Sequence, residues 1–170
     1  TERIVVEVLE ETREVAGVTV TVVRDQVFLD GDLIEDTDDW YAQDADGNVW
    51  YMGEDSKEVE DGQVVGTAGS WEAGVDGARA GILMPADPAP GQAYQQEFYA
   101  GEAEDRGRVL SVGESVSVPA GDFDGCIRIE DTTPLEPDVE EHKFFCPGIG
   151  TVLEVDLEDG VRVELISVAQ

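Results

Sequence analysis

The chain has 170 residues, and its 40 aspartates and glutamates against ten lysines and arginines give a formal net charge of −30. A surface this anionic repels nucleic acids, acidic membranes and phosphate ligands, so the composition argues against partners of those classes. Apolar residues make up 41% of the sequence, which is enough for a hydrophobic core and argues against a disordered acidic tail. The length fits one domain, and we predict a single β-rich domain over residues 1–170.

The first segment predicts a β-strand. In Glu2–Leu9, the apolar residues Ile4, Val6 and Val8 follow one another at the two-residue spacing of a strand. Because this strand begins directly after Thr1 without an apolar leader, we expect an upstream segment to have been removed. No stretch reaches the roughly 20 apolar residues of a membrane span, which predicts no transmembrane segment.

Asp-Gly dipeptides recur along the rest of the chain, at 30–31, 46–47, 61–62, 76–77, 124–125 and 159–160. Asp-Gly between alternating apolar residues is a strong hairpin signal. The last one predicts a closing hairpin with strands at 151–158 and 161–168, while proline-containing loops are expected at 84–92 and 134–137. We therefore predict an all-β fold with minor helix, in which an antiparallel sheet curves into a half-open barrel or forms a sandwich.

Five aromatic residues fall on three successive predicted strands: Trp40, Tyr41, Trp50, Tyr51 and Trp71. If those strands pair, the rings converge on one wall of the sheet. They then either line a concave pocket for an apolar small molecule or lipid, or pack against one another as ordinary core. The sequence is compatible with both interpretations, although core packing is the more common use of such residues.

A short acidic loop resembles a cation-binding segment. Asp44, Asp46 and Asn48 alternate around Gly47, and alternating oxygen donors beside a glycine are typical of loops that wrap calcium. The alternative is a plain hairpin turn, because Asp-Gly adopts such turns without a metal.

The two cysteines predict a disulfide. Cys126 and Cys146 lie near the ends of a predicted hairpin, and a register that places Ile127 opposite Phe145 also places the cysteines opposite each other. An even number of cysteines in an exported chain favours the same conclusion. The alternative is two buried thiols that act as small apolar residues.

Signals for catalysis are weak. The single histidine, His142, is flanked by charged residues, and nothing in the sequence pairs it with an activated nucleophile, so we expect it on a strand surface. Zinc is not predicted, because the chain has no Cys-x-x-Cys motif or spaced histidines. Carboxylate pairs for a hydrolase are expected by chance among so many acids. We predict a chain that is not an enzyme.

Several motifs resemble an uncharacterised family of bacterial secreted proteins and lipoproteins. They are WYAQDADGNVWYMGED at 40–55, GSWEAGVDGA at 69–78, YAGEAED at 99–105, PLEP at 134–137, EHK at 141–143 and PGIG at 147–150. The resemblance implies an exported leader upstream and no established activity. Relatives more often have alanine at the position of Cys146. The carboxyl-terminal pattern is also similar to half-open β-barrel lipoprotein carriers, which concerns the fold.

These observations favour an extracellular or cell-surface protein from a salty environment, since ions screen the repulsion among so many like charges. The first functional hypothesis is a non-enzymatic domain that binds an apolar ligand in a concave sheet. The alternative is a structural subunit of an extracellular assembly or filament, which self-associates when a neighbour donates a strand to an open sheet edge. A carboxylate-based hydrolase ranks third.

Overall fold

A computed structural model describes residues 1–169 and is built from β-strands joined by turns. The strands are β1 (Glu2–Val15), β2 (Val18–Leu29), β3 (Asp32–Gln43), β4 (Val49–Glu60), β5 (Gln63–Gly66), β6 (Trp71–Glu72), β7 (Arg79–Met84), β8 (Ala93–Gln95), β9 (Glu97–Phe98), β10 (Arg106–Val118), β11 (Gly121–Thr133), β12 (Glu136–Cys146), β13 (Gly150–Asp156) and β14 (Arg162–Glu164). Residues 1–169 contain no helix, and the strands pair antiparallel, which confirms the predicted all-β fold. No helix suited to crossing a membrane is therefore found in this part of the chain.

The chain divides into two compact units, of which the first contains Thr1–Ala86 and Gln96–Glu104. Its sheet has the order β1-β2-β3-β4-β7-β9, and β5 and β6 also pair with β4. The alternation of apolar residues in β2 places Val20 and Val22 in the core of this unit, where they join Val15, Trp40, Tyr51, Met52 and Trp71. Most of the predicted aromatic cluster therefore belongs to the core of one unit.

The second unit contains Asp87–Gln95 and the chain from Asp105 onward. Its sheet has the order β14-β13-β12-β11-β10-β8, and its core contains Val116, Cys126, Cys146, Val152 and Leu153. Neither sheet closes into a barrel. The first boundary between the units falls within the predicted proline-containing loop, between Ala86 and Asp87. The single domain over residues 1–170 stays a prediction.

Two of the Asp-Gly dipeptides form tight hairpin turns. Asp30-Gly31 joins β2 to β3, and Asp61-Gly62 joins β4 to β5. Both residues of each dipeptide have positive φ, between 50° and 102°, as a type I′ turn requires.

The hairpin predicted at Asp124-Gly125 is wrong. This dipeptide lies inside β11, where two residues oppose the single residue Ser115 of β10. Gly125 has a φ of 74°, and a glycine with positive φ accommodates the extra residue of a β-bulge as readily as a turn. The closing hairpin exists, but its strands β13 and β14 are shorter than predicted.

Ion pairs within and between strands offset part of the negative charge. Arg24 binds Asp36 through two nitrogens at 2.5 and 2.7 Å, which joins β2 to β3. The two lysines are also paired: Lys57 Nζ lies 2.9 Å from Asp55 Oδ2, and Lys143 Nζ lies 3.0 Å from Asp131 Oδ2. Desolvation acts to lower the pKa of Lys143, but the nearby carboxylates outweigh it and raise the pKa.

Candidate functional site

Three of the five predicted aromatic residues meet in the first unit. A register shift between Trp40 and Tyr41 sets Tyr41 directly opposite Tyr51 on β4. Their rings stack with centroids 5.0 Å apart, and Trp71 contacts Tyr51 edge-on at 5.3 Å. The indole N–H of Trp71 donates to Glu97 Oε2 at 3.0 Å. The three rings therefore pack against one another, and a carboxylate accepts the Trp71 N–H.

Burial shows that the structure uses these rings as core. Trp40, Tyr51 and Trp71 are only 4%, 9% and 5% exposed. Trp40 lies under the Arg13 guanidinium, whose carbon is 3.9 Å from the ring centroid. Rings this buried have no open face for a ligand, so the predicted apolar pocket lined by all five residues is replaced by aromatic core packing. Only Tyr41 and Trp50 of the set are half-buried.

Gly53 allows this packing. It has a φ of 140°, and a Cβ atom at this position would overlap the Trp71 carbonyl oxygen and approach the Trp40 ring to 2.9 Å. A glycine inside a strand often marks such a close approach between backbone and neighbour. Any larger residue at Gly53 therefore conflicts with both tryptophans.

A cluster of two carboxyls and a hydroxyl, which we call the carboxyl–tyrosine cluster, consists of Asp39, Tyr51 and Glu54. The Tyr51 hydroxyl oxygen lies 2.6 Å from Asp39 Oδ1 and 2.6 Å from Glu54 Oε2. A hydroxyl carries one proton, so Tyr51 donates in only one of these contacts. In the other contact a protonated carboxyl must donate to the Tyr51 oxygen.

Asp39 binds a proton more tightly than an exposed aspartate does. Desolvation by burial, reinforced by the charges of Asp38 and Glu35, raises the pKa of Asp39 to about 6 despite hydrogen bonds from Tyr51 and Glu54 that lower it. Asp39 and Glu54 lie opposite each other on β3 and β4, and both carboxyls contact the same Tyr51 oxygen. The cluster therefore raises the proton affinity of a buried carboxyl between β3 and β4.

Replacing Asp39 with asparagine is expected to change how stability depends on pH. The pKa of Asp39 rises from 3.8 to about 6 on folding, so this group makes the free energy of unfolding fall as pH rises from about 4 to about 6. Asparagine matches the protonated acid in shape and needs no proton. Asp39→Asn should therefore be more stable than the parent above pH 6, by up to about 3 kcal/mol, with the difference shrinking toward pH 4. Denaturant titrations across this range measure the difference.

The matched control is Asp32→Asn, which removes the same charge from the exposed beginning of β3. It should retain the pH dependence of the parent. A variant at Asp39 whose stability runs parallel to that of the parent from pH 4 to pH 7 would show that Asp39 holds no proton.

The predicted calcium loop is a hydrogen-bonded turn. Asp44 Oδ1 accepts the backbone N–H groups of Asp46, Gly47 and Asn48 at 2.9 to 3.0 Å. Its Oδ2 accepts from the Asn48 side chain and from the Trp50 indole at 2.8 and 2.9 Å. These donors, led by Trp50, lower the pKa of Asp44 to about 2.

The remaining predicted ligands do not complete a cation site. Asn48 Oδ1 accepts the N–H of Ala86 at 2.8 Å, so this oxygen is oriented by the Ala86 backbone. Five donors around Asp44 present partial positive charge where a cation would have to bind. The calcium site at Asp44, Asp46 and Asn48 therefore does not fit the structure, and the plain turn that was its alternative does.

The second unit contains a disulfide between Cys126 and Cys146. Ile127 lies opposite Phe145 and Ile129 opposite Lys143, which is the register that the sequence predicts. Both cysteines are buried in the core of this unit. The bond thus links β11 to the last residue of β12, within the core of the second unit.

The edge strand β1 exposes main-chain groups. Within residues 1–169, β1 pairs with β2 alone. The Asp30 N–H donates to the Thr1 carbonyl at 2.9 Å, so Glu2 and Leu29 form a pair of the non-hydrogen-bonded type. The register continues without a shift to Val8. Because the two pair types alternate, even-numbered residues from Glu2 to Val8 direct their N–H and C=O groups away from β2.

This edge also carries apolar side chains. Val6 and Val8 are 61% and 68% exposed, and Ile4 precedes them at the same two-residue spacing. An edge strand with unpaired main-chain groups and exposed valines is a template for another strand.

Comparisons with known proteins add no homologue. No family model matches the chain, and no curated protein or solved structure matches it. The resemblance to a family of secreted proteins therefore stays a prediction.

Proposed function

We propose that the protein is a non-enzymatic structural subunit of an extracellular assembly in a salty environment, and that copies associate by strand addition at the β1 edge. The observation that carries the proposal is this edge, which is 14 residues long and has open N–H and C=O groups from Glu2 to Val8. A partner strand from a second copy would satisfy those groups and cover Val6 and Val8.

The length of β1 suits such an interaction. The register shift after Val8 leaves Glu2–Val8 as the regular part of this edge, which at roughly 3.4 Å per residue is about 20 Å long. In strand addition, main-chain hydrogen bonds provide the affinity and side-chain contacts on alternate residues provide the specificity. The valines at positions 6 and 8 supply apolar contacts with the required spacing.

Charge explains why assembly would need salt. β1 contains five glutamates against two arginines, and charged residues on an edge oppose pairing in dilute buffer. Molar salt shortens the screening length to about 3 Å, which removes most of the repulsion between copies. The same net charge of −30 disfavours nucleic acids as partners.

The apolar-ligand hypothesis receives less support, because its central residues Trp40, Tyr51 and Trp71 are core. The hydrolase hypothesis rests on carboxylate pairs, which are expected by chance in a chain with 40 aspartates and glutamates. Strand addition needs only the outward main-chain groups of β1 and the side chains of Val6 and Val8, which are exposed.

Val6→Pro tests the proposal. Proline removes the outward N–H of Val6 but no hydrogen bond to β2, so the fold should persist while pairing at the edge is lost. We expect the parent to form assemblies in molar sodium chloride, seen by sedimentation velocity and electron microscopy, and Val6→Pro to stay monomeric under the same conditions.

Val6→Ala is the matched control, because it shortens the side chain but keeps the outward N–H. It should assemble, although more weakly than the parent. A parent that is monomeric at every salt concentration, or a Val6→Pro variant that assembles like the parent, would contradict strand addition at β1.

A further inference from the structure

Three metal-ligating side chains converge on one face of the sheet in the second unit. Glu130 on β11 lies directly opposite His142 on β12, and Glu140 precedes His142 by two residues, so all three share a face. One potential ligand atom from each residue lies within 4.8 Å of the other two, and all three residues are half-buried. We call this set the Glu130–Glu140–His142 cluster.

Arg108 holds one of these ligands in place. It lies opposite Glu130 on β10, and its Nε and terminal nitrogen contact the two carboxylate oxygens at 2.8 and 2.5 Å. Each carboxylate oxygen has two lone pairs, so this pairing leaves acceptor capacity for a metal ion. Ligating carboxylates in metal sites are themselves usually hydrogen-bonded, and such outer partners fix their orientation. The Arg108 contact therefore acts as support for a ligand.

The donor set indicates the type of ion. One imidazole nitrogen with two carboxylate oxygens suits a borderline divalent metal such as zinc, whereas calcium and magnesium prefer oxygen alone. Three protein ligands leave a fourth position for water or for a group from another molecule. Both cysteines are in the disulfide, so no described thiol competes for the metal. The strongly negative protein also raises the local concentration of cations.

We propose that the Glu130–Glu140–His142 cluster binds one zinc ion. Sequence patterns argue against zinc, because they look for spaced cysteines and histidines along the chain. Here the ligands come from two paired strands, so only the register between β11 and β12 brings them together.

Zinc titration in molar sodium chloride at neutral pH tests the site, with calorimetry as the readout and calcium titrated in parallel to measure non-specific association with surface acids. The parent should bind zinc one to one. His142→Ala should lose this binding, and Glu140→Gln should weaken it. Cobalt in place of zinc gives a second readout, since its visible absorption reports on the ligands. Because the chain has a single histidine, imidazole signals in NMR spectra report on His142 alone.

Glu141→Gln is the matched control. It removes the same charge from the same strand, but its side chain points to the opposite face, beside Lys143. This variant should bind zinc like the parent. The proposal is overturned if the parent binds no zinc beyond the non-specific level, if His142→Ala retains one-to-one binding, or if Glu141→Gln loses affinity as much as Glu140→Gln does. Melting curves of the variants without metal establish that each is folded.

Discussion

Trp71→Ala is expected to lower the free energy of unfolding by about 3–5 kcal/mol, the usual cost of deleting a buried aromatic side chain. Trp71 is 5% exposed, contacts Tyr51 edge-on and donates to Glu97, so its removal leaves a cavity and breaks a buried hydrogen bond. Denaturant titration followed by circular dichroism measures the loss.

Trp71→Phe separates the two contributions. Phenylalanine keeps an aromatic ring against Tyr51 but has no N–H for Glu97, so the loss should be smaller than for alanine. A small loss for Trp71→Ala, together with a shift of tryptophan emission in the parent when an apolar probe is added, would contradict the core assignment and restore the ligand pocket of the first hypothesis.

Loss of the disulfide is the second change with a large expected effect. Cys126 and Cys146 are separated by 20 residues, and closing a loop of this size stabilises a fold by about 3 kcal/mol. Replacing both cysteines with alanine should lower the free energy of unfolding by about that amount, as measured by denaturant titration. The parent under reducing conditions should lose a similar amount.

Alkylation provides an independent check of this bond. In unfolded protein without reductant, neither cysteine should react, and after reduction both should. Two labelled cysteines before reduction, seen by mass spectrometry, would show that the bond is absent. Equal stability of the parent and the double alanine variant would show that the bond contributes nothing.

The disulfide register was predictable because β11 and β12 pair without a shift from Ile127 to Thr132. In a regular antiparallel pair of strands, one pair of opposite residues determines all the others, so a single correct pair is enough to place the two cysteines opposite each other. The strand β1 was itself predictable, since the two-residue spacing of Ile4, Val6 and Val8 reads directly from the sequence.

The arrangement around Tyr51 was not predictable, because it depends on the register shift between Trp40 and Tyr41. A shift of one residue changes which side chains face each other, and the alternation of apolar residues does not specify it. The contact of Asp39 with Glu54 therefore emerges only from the pairing of β3 with β4. Gly53 was a possible signal, since a glycine inside a strand often marks a bulge or close approach.

Asp124-Gly125 illustrates a different ambiguity. The dipeptide specifies a backbone that turns with positive φ at the glycine, but a hairpin and a bulge both meet that requirement. The difference depends on whether the flanking segments pair with each other or with β10, which is a matter of tertiary structure.

In the predicted calcium loop the ambiguity is chemical, because the same oxygens that suit a metal also suit backbone N–H groups.

The pairing of both lysines has a practical consequence for chemical labelling. The side chains of Lys57 and Lys143 are 32% and 26% exposed, and each ammonium is held by a carboxylate. Amine-directed cross-linkers and dyes react with free, deprotonated amines, so these two side chains are poor targets. Carboxyl-directed reagents, by contrast, have 40 aspartates and glutamates as targets. The proposed contacts between copies would therefore be better captured through carboxyl groups than through amines.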